Sequence, residues 1–284
     1  MGDMRIAARI LIAALYAFLL APLVVVLLTS FSNDGYLAFP PTHWGGGAYR
    51  ALLANANFAA GLRVSLLLAS AVTLVTLVIG TAAAYAIARY RFPGSGVLLG
   101  LFTAPLLLPA IILGLALLLV FAQIGLLATF PGLMLGHALV ALPFVVRIVL
   151  TALRGIPPAL EDAAATLGAP PWRVFIRIVL PLMIPGLTAA AALAFLASFD
   201  EVVISLFLVG PRLTTLPIEV FHYVQYRADP QLSALSVVLI GFTLILILVI
   251  ERSIGFLRAV GRSSFDSSPA ATAQDEDVAT NPSS

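Results

Sequence analysis

The sequence predicts an all-α, polytopic membrane protein with six transmembrane helices, and three observations predict it. Of the 284 residues, 61% are apolar and only 10% charged, whereas a soluble domain carries about 25% charged residues. Several windows exceed the roughly 20 apolar residues that cross a hydrocarbon core. Lipid offers the backbone no hydrogen-bond partners, so each span must satisfy itself as a helix.

The first span runs from Ile10 to Leu28, behind Arg5 and Arg9. It exceeds the roughly 7–15 apolar residues of a signal-peptide core, so it is expected to stay as a membrane anchor. Residues 31–63 form an outer connection rich in Gly, Pro and aromatics, with Phe39-Pro40-Pro41 and Trp44-Gly45-Gly46-Gly47, and close with an amphipathic piece ending at Arg63. Trp44 and Tyr49 suit the headgroup level. The second and third spans are Val64 to Ala88 and Val97 to Phe121, the fourth is Leu133 to Leu153, the fifth Met183 to Val209, and the sixth Leu232 to Ile250. Pro105, Pro109 and Pro143 are expected to kink their spans. A transmembrane domain is thus expected over residues 1–262. The Ser-, Ala- and Asp-rich tail, 263–284, lacks apolar periodicity and reads as disordered.

Arginine bias sets the orientation. With the N-terminus inside, the cytoplasmic side receives Arg5, Arg9, Arg89, Arg91, Arg147, Arg154, Arg173, Arg177, Arg252, Arg258 and Arg262; the outside receives Arg50, Arg63, Arg212 and Arg227. Both termini are then cytoplasmic, and residues 155–181 form a cytoplasmic loop.

Composition also excludes chemistry. Cysteine is absent, which removes disulfides and thiolate metal sites. No lysine occurs either, so there is no P-loop lysine to hold phosphates and no lysine Schiff base. If the protein runs on ATP, another chain binds it. The arginines are spread along the chain and do not read as a nucleic-acid surface. Histidines 43, 137 and 222 have no carboxylate at metal-ligand spacing, and His137 reads as a hydrogen-bonded packing residue. No catalytic constellation is present.

The cytoplasmic loop is the most informative segment. Leu160, Ala163, Ala164 and Leu167 fall on one helical stripe, with Glu161, Asp162 and Thr166 off it. Gly168 sits where a helix C-terminus wants a left-handed residue. Pro170 and Pro171 then block continuation and start a second helix. There Trp172, Phe175, Ile176 and Val179 repeat the spacing, with Arg173 and Arg177 opposite. On pattern alone this is either an interfacial hairpin or a docking element. The fifth span holds a second feature, Phe199-Asp200-Glu201. Carboxylates are costly in hydrocarbon and default to function, so one is expected to line a cavity while the other pairs or caps. Phe199, Tyr223 and Tyr226 are candidate aromatic partners for a cationic solute.

Asp162-Ala163-Ala164, Gly168, Ile178 and Leu180-Pro181 resemble the "EAA" loop of permease subunits of bacterial ATP-binding-cassette (ABC) importers, with aspartate in place of the first glutamate. The stretch from Phe199 to Ser205, with Gly210-Pro211, Leu216 to Glu219 and Asp229-Pro230, is similar to spermidine/putrescine permeases. The resemblance implies a type I ABC importer permease fold and a coupling helix, Glu161, Asp162, Ala163, Ala164, Leu167 and Gly168, set against a partner ATPase. It implies a substrate pathway near Phe199, Asp200 and Glu201. It further implies no cofactor in this chain, with ATP and Mg held by an ABC ATPase dimer. The other implied partners are a second permease subunit, a periplasmic substrate-binding protein and the lipid bilayer of the bacterial inner membrane. A permease for another solute, such as an amino-acid derivative or an organophosphonate, remains the alternative; an intramembrane enzyme fits less well.

Overall fold

The computed structural model describes residues 2–90 and 92–266. Arg91 and residues 267–284 of the expected tail lie outside the described residues. Every regular element among the described residues is helical. In chain order these are α1 (Gly2–Thr29), α2 (Gly47–Ala54), α3 (Ala56–Arg89), α4 (Ser95–Thr103), α5 (Ala110–Gln123), α6 (Phe130–Arg154), α7 (Ala159–Thr166), α8 (Pro171–Val174), α9 (Leu180–Phe199), α10 (Val203–Leu208), α11 (Leu216–Tyr226) and α12 (Pro230–Asp266). α12 runs past Ile250, where the sixth span was expected to end, and takes in residues 263–266 of the expected tail.

Five helical stretches are long and apolar enough to cross a membrane, or six if the bent pair α4–α5 counts as one span. At 1.5 Å per residue, the 34 residues of α3 reach about 51 Å, well beyond a hydrocarbon core of about 30 Å. The residues just before Arg63 are therefore the first turns of α3 and not a separate element. Asn55 caps it, accepting from the backbone N–H groups of Asn57 and Phe58.

The third expected span is not one helix. A 3₁₀ turn, Ala104–Leu107, ends the α4 segment, and α5 leaves it at 103°. Proline is the cause. Pro109 forces Leu108 into extended backbone (φ −93°, ψ 138°), while Pro105 opens the 3₁₀ turn. Pro143, by contrast, lies within an unbroken α6. The fifth expected span is also redrawn. α8, a π turn at Phe175–Val179 and α9 form one stretch from Pro171 to Phe199, and the helix stops ten residues before the expected Val209. The second loop helix and the fifth span are thus continuous.

The core lies where α3, α6 and α9 pack. Leu68, Val72, Leu133, Val145, Val149, Leu153, Val179 and Met183 are buried there. Close approach is set by glycine: a Cβ on Gly80 of α3 would come within 2.7 Å of Val145 Cγ1 on α6. Gly80→Leu is expected to lower the yield of folded protein severalfold, because overpacking costs about 1–3 kcal/mol. Size-exclusion profiles and thermal unfolding in detergent check it. His137 closes the same core, its ring nitrogens facing Ser198 Oγ at 3.0 Å on α9 and Ser205 Oγ at 2.9 Å on α10. It is the packing histidine the sequence suggested.

At one end Thr29 Oγ1 of α1 donates to Ser233 Oγ of α12 at 2.9 Å. α1 and α12 are therefore antiparallel, and the starts of α1 and α7 share one end of the bundle with Arg89 and Arg154. The opposite end carries residues 30–55 and 200–229.

Candidate functional site

α7 is built against the usual amphipathic rule. Leu160 is 44% and Leu167 88% exposed, and Ala163 also faces out, whereas Glu161 is turned inward and Ala164 is half-buried. Glu161 Oε1 accepts from Arg89 Nε, at the last turn of α3, and Oε2 accepts from the Tyr85 hydroxyl at 2.9 Å. Both members of the ion pair are largely shielded from solvent. Arg89 also donates from a terminal guanidinium nitrogen to the Ile156 carbonyl at 3.0 Å. One arginine thereby fastens both the approach to α7 and its first turn.

The end of α7 is a glycine cap. Gly168 has φ +80°, a conformation glycine adopts without a Cβ penalty. Gly168 N–H donates to the Ala165 carbonyl at 2.9 Å and Ala169 N–H to the Ala164 carbonyl at 3.1 Å, the paired bonds of a Schellman motif. Nothing lies within 4 Å of where a Gly168 Cβ would be, so backbone conformation and not space requires glycine. Pro170 is extended (φ −69°, ψ 151°) and Pro171 starts α8.

Beyond the turn the second stripe does not face inward as a unit. Val174 and Val179 are buried, while Trp172 is 59% and Ile176 51% exposed. The π turn accommodates an extra residue and so shifts the phase between α8 and α9. Phe175 packs edge-on against Tyr85 at 5.1 Å, which ties the π turn to the same tyrosine that holds Glu161. Arg173 lies over the Trp172 ring at 5.2 Å. Leu160, Leu167, Trp172 and Ile176 are thus apolar side chains left exposed on and after α7, and Asp162 is exposed as well.

The second predicted group, Phe199, Asp200 and Glu201, lies at the end of α9. Phe199 is buried, stacked on Phe195 at 5.8 Å and tilted against Phe242 at 5.4 Å, so it packs α9 on α12. Asp200 and Glu201 lie after the end of α9 and not within a span. Glu201 Oε1 accepts from Ile204 N–H at 3.0 Å and caps the first turn of α10, while Asp200 is exposed. Tyr223 and Tyr226 line a separate cavity of about 330 Å³ with Asn55, Phe58, Glu219 and Arg227. Burial, aided by its hydrogen bond to Asp229, pushes the Tyr223 hydroxyl up to about 12. No group of three or more metal-ligating side chains occurs among the described residues. The sequence reading missed Tyr85 and Arg89; their one signal was position, at the end of the second span.

The comparisons with known proteins agree with this architecture. Residues 76–259 match the family described as "Binding-protein-dependent transport system inner membrane component". The chain is 30% identical over 238 residues to the spermidine/putrescine transport system permease protein PotC of Escherichia coli K12, covering 83% of this chain and 89% of that one. It is 33% identical over 241 residues to the putrescine transport system permease protein PotI of the same strain, covering 82% and 85%. A solved bacterial ABC transporter involved in import of the acidic polysaccharide alginate has a chain that superposes with TM-score 0.70 at 17% identity, covering 88% and 96%; this likeness speaks for the fold alone. The chain is a multi-pass membrane protein and belongs to the inner-membrane component family of binding-protein-dependent transport systems.

Proposed function

We propose that this chain is one permease subunit of an ATP-driven importer of polyamines. The feature that carries the mechanism is α7, a helix tethered through Glu161 on one side and apolar and open on the other. Identity of 30–33% to two polyamine-system permeases over more than four fifths of the chain supports the solute class.

In this reading the α7 end faces the cytoplasm and the loop of Asp162, Ala163, Leu167 and Gly168 sits in a cleft of an ABC ATPase, which holds the ATP and Mg. Glu161 faces the permease and not the ATPase. It transmits motion of α7 to α3 through Arg89 and Tyr85, and Phe175 carries the same motion into α9. ATP binding draws α7 toward its counterpart on a second permease subunit and opens the pathway outward. A periplasmic substrate-binding protein then delivers solute, and hydrolysis reverses the movement. This chain carries no covalent step. Of the two adjacent carboxylates, Asp200 is the one open to a cationic solute, since Glu201 is engaged at α10. Phe199 supports it only by packing.

Uptake by the intact complex, with spermidine, putrescine or an organophosphonate as competitor, tests the solute class. Both polyamines are expected to compete, and Asp200→Asn to weaken that competition about tenfold. Competition by the phosphonate and not by the amines would overturn the polyamine reading.

A further inference from the structure

Arg147 lies seven residues before Arg154 on α6, so about 10 Å separates their Cα atoms along the axis, on nearly one face. Both are exposed. Neither guanidinium has a hydrogen-bond or ion-pair partner among the described residues. The two arginines border a groove of about 440 Å³ between α4 and α6, with Thr103 and Thr151 beside them and Leu99 and Leu150 along its floor. Gly96 and Gly100 of α4 leave its other wall open, with nothing within 4 Å of a Cβ at either position. Leu99 and Leu150 make part of its lining apolar.

An arginine two turns inside a membrane span needs an anion or water at its head group. Nothing in the described chain supplies the anion. Arg154, at the helix end, can reach water along its own stem; Arg147 sits deeper and faces the groove. A ligand that satisfies both features carries a negative phosphate toward the arginines and hydrocarbon along Leu99 and Leu150. Arginine forks match phosphate oxygens in geometry, and basic pockets between transmembrane helices suit anionic headgroups.

We propose that the α4–α6 groove is a binding site for an anionic phospholipid, its phosphate held by Arg147 and Arg154. The groove shares no lining residue with α7 or with the Asp200 region, and it does not depend on which solute is carried.

Native mass spectrometry of the complete transporter, purified with its partner subunits, tests this. The probes are phosphatidylglycerol, phosphatidylcholine of the same acyl chains, and inorganic phosphate. The wild type is expected to retain phosphatidylglycerol over phosphatidylcholine by about thirtyfold, as two arginines near a membrane surface would give. Arg147→Gln with Arg154→Gln should erase that preference, and Arg147→Lys with Arg154→Lys should keep most of it, with unchanged thermal unfolding in both. Equal retention of the two lipids by the wild type would overturn the proposal. So would a preference unaltered in the glutamine variant, which would place the lipid elsewhere. Displacement of phosphatidylglycerol by millimolar phosphate would mark the groove as a soluble-anion site instead. Absence of bound lipid from the complete transporter would mean that a partner subunit's acid fills the groove, and the proposal would be wrong.

Discussion

Arg89→Ala is expected to lower ATP-driven uptake by more than tenfold while the helical bundle stays folded. Arg89 donates to Glu161 and to the Ile156 carbonyl, and hydrogen bonds involving a charged group contribute about 1.5–3 kcal/mol each. Removing the arginine also leaves Glu161 shielded without its cation, which adds to the loss. The α3, α6 and α9 core holds the rest of the molecule without this contact. The change therefore loosens α7 selectively, and in the proposed mechanism a loose α7 cannot move α3. Nucleotide hydrolysis by the partner should continue, uncoupled from uptake. Measuring both in reconstituted vesicles separates uncoupling from misfolding. Arg89→Glu combined with Glu161→Arg should recover part of the activity lost in either single change. If uptake in Arg89→Ala equals that of the wild type, the tether is not part of coupling.

Gly168→Val is the second large effect expected, again a loss of uptake of more than tenfold. The positive φ is essentially closed to a β-branched residue, and forcing it costs of order 1–3 kcal/mol. The turn would open, freeing the Ala164 and Ala165 carbonyls and releasing the link between α7 and α8. Gly168→Asn is the discriminating control. Asparagine tolerates the left-handed region and a Cβ there meets nothing within 4 Å, so it should retain most activity. Gly168→Arg should fail, both through strain and by placing a long charged chain on the docking face. Equal activity of the valine and asparagine variants would contradict the argument from backbone conformation.

What could be read from the sequence was local. Apolar run length located the membrane helices, and the pairing of Gly168 with Pro170 and Pro171 located the turn after α7, because these signals act within a few residues. The breaks were harder. Pro105 and Pro109 announced a kink but not its size, since 103° depends on how α5 packs against α10 and α6. The end of α9 at Phe199 coincides with Asp200 and Glu201, but the apolar residues that resume at Val202 extend the hydropathy signal past it. Side-chain roles were legible only where neighbours in sequence decide them. The pairing of Glu161 with Arg89 spans 72 residues, and no local pattern reveals that Glu161 turns inward while Asp162 stays exposed. The same limit applies to Phe199, whose burial comes from Phe242 on α12.

The central claim is that the outer face of α7 meets the ATPase on the cytoplasmic side. The chain has no cysteine, so Leu167→Cys introduces a single thiol on that face. The measurement is disulfide formation between this thiol and a cysteine scanned over the partner ATPase in the assembled complex, followed by uptake before and after reduction. A specific crosslink that blocks uptake and is reversed by reductant is the expected result. Labelling of Cys at position 167 by a membrane-impermeant reagent from outside intact cells would contradict it.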